Sequence, residues 1–538
     1  MLFWISPARA QDFAACDGFP DPGKKSDGIV KGTMLWGLVS TSADIRQQSD
    51  PAFGEKGIAA CDAALANPLL KPDFVVRRIH LLQLKALHQI AAGKTDVALV
   101  TLDAAQAIPL EPAGLRAKGL GLAAMALRAL ALSALDRHDQ VRALIGEVAA
   151  ARPYAPSVQR LAGLLISHND PSIEAEFADL HHRQALDPMA SLRGIIHALL
   201  AGRNDEVVAL SNGLTFDLPR MRGGWTLEGG GDEYALISVR AGIAGLRAYS
   251  LAALGRDTDA AQTIAAARAD LAEAKAPPQA KPGSSPSKNA MHEFEARKAK
   301  AESGEGELAI SEQLIALRRK AKSMNAEQFF AELERIDRSK VPSELDLLTN
   351  LTAIPADEVH ARDTAIAQLR TEVEMQRRKD AKFDFSAFAQ ALPAAETASN
   401  QPSFHGAGDG YFLSDSGYST KQMDDPAKWT VRFTNALATR ATVEELVFAS
   451  AASLARKKGY SGFVVVSRQT VARTTHVKDY YGPSHDENSG REAQLVVWLV
   501  NLGQFPDELK GAESRYLAAD KVLADLGTTY PGLMVTSR

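Results

Sequence analysis

Between Ala241 and Ala272 large apolar residues (Ile243, Leu246, Leu251, Leu254, Ile264) recur at helical spacing. Small residues (Ala248, Ala260, Ala267) fall where two antiparallel helices touch. The pattern predicts two helices joined by a tight turn at Gly255-Arg256-Asp257. One such hairpin cannot bury both its faces, and neighbours of the same kind stand upstream. The spacing predicts helices over 57–68, 74–92, 96–108, 113–135, 139–151, 157–167, 173–185 and 189–201. Four of the turns share a format, a small-residue helix end followed by a polar stretch that reaches an Asp (Asp96, Asp139, Asp205, Asp259). A carboxylate in the first turn of the following helix meets unsatisfied N–H groups and the positive end of the dipole.

The pattern changes at 275–290, where Pro, Ser and Lys leave almost nothing to bury, which predicts a linker. Charged helices with sparse apolar stripes are expected over 293–322, 326–336 and 357–379. From about 396 Gly, Tyr, Val and Thr rise and period-two segments begin. Trp429-Thr430-Val431-Arg432-Phe433 alternates as a half-buried strand does. Thr442 and Glu445 have the spacing of a capping box, opening a helix that Gly459 ends. A strand is expected over 463–474. A second, over 494–501, is apolar on both faces and therefore central in its sheet. A last helix is expected over 512–526, capped by Gly527.

The helix pairs resemble tetratricopeptide repeats, helix–turn–helix units that stack into a solenoid. Ala86, Gly93, Ala98 and Ala105 with Pro109 carry the resemblance, as do Ala248, Gly255, Ala260 and Ala267, and Ala129, Asp136, Val141 and Val148 with Pro153. Leu82 and Ala244 stand where that family has a large aromatic residue, and the turns are unevenly spaced, so the array is degenerate. The C-terminal part resembles a small domain of uncharacterised proteobacterial envelope proteins, many of them lipoproteins. Its carriers are Gly417-Tyr418-Ser419, Trp429, Val431, Phe433, Thr442, Glu444, Ala451 to Leu454, and Gly459, Tyr460, Gly462, Phe463 and Val465. That resemblance implies an envelope location and no known activity. The expected architecture is mainly α: a signal-peptide remnant (1–10), a repeat solenoid (11–274), the linker (275–290), a helical spacer (291–395) and a small α+β domain (396–538).

Composition adds limits. Over 538 residues, 46% apolar and 23% charged are ordinary globular values. A net charge of −4 supplies no field for nucleic acid. No uninterrupted apolar run approaches the ~20 residues of a membrane-spanning helix. Met1 to Ile5 is apolar and Ala8-Arg9-Ala10 follows, which reads as the tail of a secretory signal cut before Gln11. The expected location is therefore periplasmic or secreted. A lipobox at Phe13-Ala14-Ala15-Cys16 is the rival reading, with Asp12 interrupting it. In an oxidising compartment the only two cysteines, Cys16 and Cys61, are candidates for a disulfide, against two buried thiols. Neither has a Cys or His at metal-ligand spacing, so no metal site is expected there.

Chemistry is sparse. His405 to Gly410 is Gly-rich but lacks the preceding strand and following helix of a phosphate loop. His181-His182 reads as a solvated helix face. His476, Asp479, His485 and Asp486 flank Tyr480-Tyr481-Gly482-Pro483 in one loop between strands, the only cluster with metal-binding or acid–base residue types. Asp486 to Gly490 is similar to a calcium loop but lacks its third ligand and distal Glu. No nucleophile-elbow, zincin or Walker pattern occurs. No catalytic residue or cofactor is assigned. The expected function is an exported scaffold that binds a protein or peptide on its helical-repeat surface, with the α+β domain as adaptor. The alternatives are an enzyme or metal-binding protein using the 473–491 loop, and a structural spacer.

Overall fold

A computed structural model describes residues 12–24, 27–29, 32–34, 39–41, 52–169, 192, 194–195, 198–199, 202–217, 234–278, 285–321, 331–332, 335, 383–406, 416–477, 485–506, 509, 512–530 and 533. The helices are α1 (Asp12–Asp17), α2 (Glu55–Ala66), α3 (Val75–Ala91), α4 (Thr95–Ala107), α5 (Ala113–Lys118), α6 (Leu120–Ser133), α7 (His138–Ala151) and α8 (Pro156–Asn169). They continue with α9 (Asn204–Asp217), α10 (Ala235–Ala253), α11 (Asp257–Ala274), α12 (Lys288–Ala321), α13 (Phe385–Ala391), α14 (Arg440–Lys457) and α15 (Ala519–Gly527). The strands are β1 (Gly32–Met34), β2 (Val39–Thr41), β3 (Gly417–Gln422), β4 (Lys428–Asn435), β5 (Gly462–Val477), β6 (His485–Val500) and β7 (Tyr516–Ala518). The protein is mainly helical, with a five-stranded antiparallel sheet in its C-terminal region, ordered β3-β4-β6-β5-β7, and a separate β1-β2 pair.

The four turns that share a format along the chain close in the same way, as does the end of α14 at Gly459. Gly93, Asp136, Gly202 and Gly255 all have positive φ. The next residue's N–H then bonds back to the last helical turn: Lys94 to Gln89, Arg137 to Leu132, Arg203 to Ala198 and Arg256 to Leu251, at 2.8–3.0 Å. This is the Schellman closure, which favours Gly or a short polar residue in the left-handed position. The four Asp residues lie in the first turn of the helix that follows.

One compact unit comprises Met1–Phe177, Phe383–Gln504 and Tyr516–Arg538. In it α3 and α4 form a hairpin, α6 packs on both, and α8 packs on both α6 and α7. A single core runs from Phe13 and Cys16 through Leu87, Leu102, Leu127, Ile145 and Leu161 to Phe388 and Ala441. The sheet lays Trp429, Val431, Phe433, Phe463, Val497 and Leu499 inside, and α14 packs against β4, β5 and β6. Its other sides meet α8 and α15, so nearly every residue from Ala441 to Ala455 is buried. A helix covered all round buries its polar residues too, and those residues define the interior described below.

The other unit, Ala178–Lys382 with Phe505–Arg515, is built on α10. Helices α9, α11 and α12 surround it. Close approach uses small residues: a Cβ on Gly245 would fall 2.2 Å from Ser311 Oγ, and one on Gly304 would fall 2.9 Å from Ala241 Cβ. Buried Leu308, Leu314 and Ile315 of α12 share a core with Ile243, Leu246 and Ile264. Residues on both sides of 275–290 complete one core.

Three local expectations change. The 113–135 helix is broken at Gly119, whose Cβ would lie 2.6 Å from the Ala394 carbonyl oxygen and 2.7 Å from the Glu396 nitrogen. Thr439 caps α14, accepting from Thr442 N–H at 3.3 Å, so Thr442 and Glu445 are interior helix residues and not a capping box. The last helix begins at Ala519, after β7 has paired with the start of β5.

Candidate functional site

The break at Gly119 shapes a groove of about 300 Å³ between α3, the end of α4, α5 and α6. Ile79, Ala105, Leu120 and Met125 line its apolar part, and Gln83, Gln106, Arg116 and Arg128 its polar part. Such a volume, mostly apolar with a few polar groups, is at the small end of ligand pockets and suits one or two side chains. Arg116 is committed to the open end of α4, donating to the carbonyls of Ala105, Gln106 and Ile108. Arg128 pairs with the exposed Asp103. Gln83 is only 2% exposed. Its Nε2 donates to the Leu120 carbonyl at 2.7 Å, while Oε1 has no hydrogen-bond partner among the described residues. A buried acceptor without a donor costs ~1–3 kcal/mol, and this one belongs to a residue that lines the groove.

Behind the groove lies a cluster around Arg152, the residue that ends α7. Its guanidinium donates to both carboxylate oxygens of Glu445, at 3.0 and 2.8 Å, and to Glu396 Oε1 at 2.7 Å. Thr442 Oγ1 accepts from Arg152 at 3.1 Å and donates to Glu396 at 2.9 Å. Tyr530 donates to Glu445 at 2.6 Å. Burial works against the charge of Arg152, yet Glu445, Tyr530 and Glu396 together hold its pKa well above the ordinary value. Burial, then Glu445, pushes the Tyr530 phenol well up. The adjacent Glu444 reaches the first turn of α8, accepting from Ser157 N–H at 2.9 Å and Oγ at 2.6 Å. These contacts lock α14 to the ends of α7 and α8.

At the opposite end of the stack the N-terminal segment folds over α3. Cys16 and Cys61 are bonded to each other. Arg77, fully buried, donates to Asp17 Oδ1 at 2.9 Å and to the carbonyls of Asp27, Pro20 and Phe19. It lies over the rings of Phe13 and Phe19 at 5.2 and 5.8 Å. Its Nε and Asp17 Oδ2 have no hydrogen-bond partner among the described residues. Burial lowers the Arg77 pKa and raises that of Asp17 to about 7, against the pull of Arg77. His88, also fully buried, shares a hydrogen bond of 2.7 Å between Nε2 and the Cys16 carbonyl.

The loop candidates fare differently. His476, His485 and Asp486 fall on the far end of the β5–β6 hairpin, where the backbone register pairs His476 with Asp486 and Val477 with His485. Asp479 and the side chains of the other three lie outside the described residues. The hairpin leaves the sheet at Gly490, whose φ of +133° and closeness to Asn435 and Ala436 exclude a side chain. His181 and His182 also lie outside the described residues, as does most of the Gly-rich stretch after Gly406. No pattern along the chain marks Gln83, Arg152 or His88. Gln83 and His88 lie on the buried face of α3, and Arg152 stands before a helix-stopping Pro153 where a solvated residue is the ordinary expectation. No family model, curated protein or solved structure matches this chain.

Proposed function

We propose that this protein is an exported envelope scaffold that holds a peptide, or an extended segment of a protein partner, in the groove between α3 and α6. The observation that carries the reading is Gln83, which lines the apolar groove and whose buried Oε1 has no donor among the described residues. A peptide supplies what is missing, an N–H donor beside a small apolar side chain. The stacked hairpins α3–α4 and α6–α7 act as a short tetratricopeptide-like solenoid, and the α+β layer stiffens it through Arg152. Export agrees with the Cys16–Cys61 disulfide, which persists in oxidising compartments. Recognition needs no nucleophile or general base.

The test is capture from a periplasmic extract by the full chain and by two variants, Met125→Arg, which fills the groove, and Val100→Arg on the exposed face of α4. The expected result is a stoichiometric partner held by the wild type and Val100→Arg and lost by Met125→Arg at unchanged thermal stability. Equal capture by all three removes the groove from the function. His476→Ala with His485→Ala is expected to leave capture and metal content unchanged, and a change in either moves the function to the hairpin.

A further inference from the structure

The disulfide at the N-terminal end has a third member. A ring nitrogen of His88 and the sulfurs of Cys16 and Cys61 all lie within 4.8 Å of one another, and all three residues are buried. No other group of three His, Cys, Asp or Glu side chains among the described residues has that closeness. The imidazole is set as a metal ligand's ring is set. Nε2 is 2.7 Å from the Cys16 carbonyl, which can only accept, so Nε2 carries the proton. Nδ1 therefore keeps its lone pair, and it has no hydrogen-bond partner among the described residues. Metal-bound histidines donate their other N–H to a carbonyl or carboxylate in this way, which fixes the tautomer and aims the free nitrogen.

We propose that Cys16, Cys61 and His88 form a zinc site that exchanges with the disulfide. In the oxidised chain the two sulfurs bond to each other. A dithiol reductant passes two electrons and two protons to the Cys16–Cys61 bond, giving two thiols and leaving as its own disulfide. Zn²⁺ then displaces one proton from each thiol to solvent and binds two thiolates and His88 Nδ1. Thiolate and imidazole both suit Zn²⁺, and two thiolates make the buried set neutral. A monovalent soft ion leaves a net negative charge in the interior, which disfavours it. Three protein donors leave the fourth tetrahedral position to a solvent molecule. The site uses α1, α2 and α3 and is independent of the groove reading.

The fit of α2 over the site depends on Gly57, one turn before Cys61. A Cβ there would lie 2.5 Å from the His88 ring and 2.0 Å from the Ala52 carbonyl oxygen. The absence of a side chain lets the helix bring Cys61 onto the imidazole. The sequence conceals this meeting, because the three residues belong to three separate helices.

The experiment uses the full chain, reduced with a phosphine, desalted under nitrogen, and titrated with Zn²⁺ or, for its spectrum, Co²⁺. The expected result is one metal ion per reduced chain, none in the oxidised chain, and a thiolate-to-cobalt charge-transfer band. Cys16→Ser with Cys61→Ser abolishes binding. His88→Gln weakens it by more than about tenfold while the oxidised variant still forms its disulfide. Zn²⁺ also returns the reduced chain's melting temperature toward that of the oxidised chain. Metal uptake equal to that of the double Ser variant overturns the proposal. So does cobalt binding without the thiolate band, or a reduced chain that unfolds and does not refold on adding Zn²⁺.

Discussion

Two arginines are buried in the same unit, and they are held in opposite ways. Arg152 meets two carboxylates, a threonine and a tyrosine, and every charged hydrogen bond in the cluster is matched. Arg77 meets one carboxylate, three carbonyls and two aromatic rings, and leaves Nε and Asp17 Oδ2 without hydrogen-bond partners among the described residues. The pKa directions follow the geometry, up for Arg152 and down for Arg77. Around Arg152 the hydrogen-bonded Glu445, Tyr530 and Glu396 outweigh desolvation, whereas around Arg77 desolvation outweighs the pull of Asp17, Asp27 and Asp21. The region that lacks a complete network is the one with a covalent bond, Cys16–Cys61, closing a 45-residue separation. Non-covalent satisfaction ties the sheet layer to the helix stack. The disulfide and the rings tie down the N-terminal segment.

The largest expected effect is at the satisfied arginine. Arg152→Met leaves Glu396 and Glu445 buried without their cation and is expected to cost roughly 3–5 kcal/mol in denaturant unfolding. Adding Glu396→Gln and Glu445→Gln to it recovers part of the loss. A change below about 1 kcal/mol in the single variant means the cluster is solvated and erases the contrast. Next comes the covalent end. Cys16→Ser with Cys61→Ser is expected to lower stability by about 3 kcal/mol and to expose the N-terminal segment to proteolysis before the rest of the unit. Tyr530→Phe removes one charged hydrogen bond to Glu445 and is expected to cost about 2 kcal/mol by the same unfolding assay.

The smallest single step is electrostatic, taken one pH unit at a time, and it sharpens the Arg77 side. Asp17 rises from 3.8 to about 7 in the folded, oxidised chain. Between those values the folded state holds more protons than the unfolded state, so the Asp17 contribution is fully present below pH 4 and falls as pH rises to 7. His80 acts in the other sense. Burial, then Arg77, lowers it from 6.5 to about 3, so its contribution is present above pH 6.5 and is lost as pH falls toward 3. The two slopes oppose each other in the wild type. The stability difference between wild type and Asp17→Asn is expected to shrink by about 1 kcal/mol per pH unit from pH 4 to 7. A flat difference across that range makes Asp17 an ordinary ionised partner of Arg77.

Much of the local structure is legible along the chain because it depends on near neighbours. The turns at Gly93, Asp136, Gly202 and Gly255 were marked by small helix ends and the Asp residues beyond them. The alternation Trp429, Val431, Phe433 became the inward face of β4. The two-sided apolar pattern over 494–501 became β6, which lies between β4 and β5. Errors occur where a distant partner decides the outcome. Thr442 and Glu445 have capping-box spacing, but Thr439 caps the helix and they face Arg152, 290 and 293 residues away. The 113–135 stretch has an unbroken helical pattern, but residues 394–396 occupy the space beside Gly119 and split it. The groove lies at that split, so the candidate site was hidden with it. The last helix starts late because residues 516–518 pair with β5, and pairing partners leave no periodic mark in three residues.

By itself, the sequence determined which stretches coil, where they turn and which strand lies deep in the sheet, because backbone sterics and apolar periodicity act within a few residues. Tertiary structure alone decided which buried charges meet, where a helix breaks and where an imidazole faces two sulfurs. Those outcomes depend on side chains tens to hundreds of residues apart being desolvated together, and a lone Arg, Gln or His carries no local record of the partner it will need.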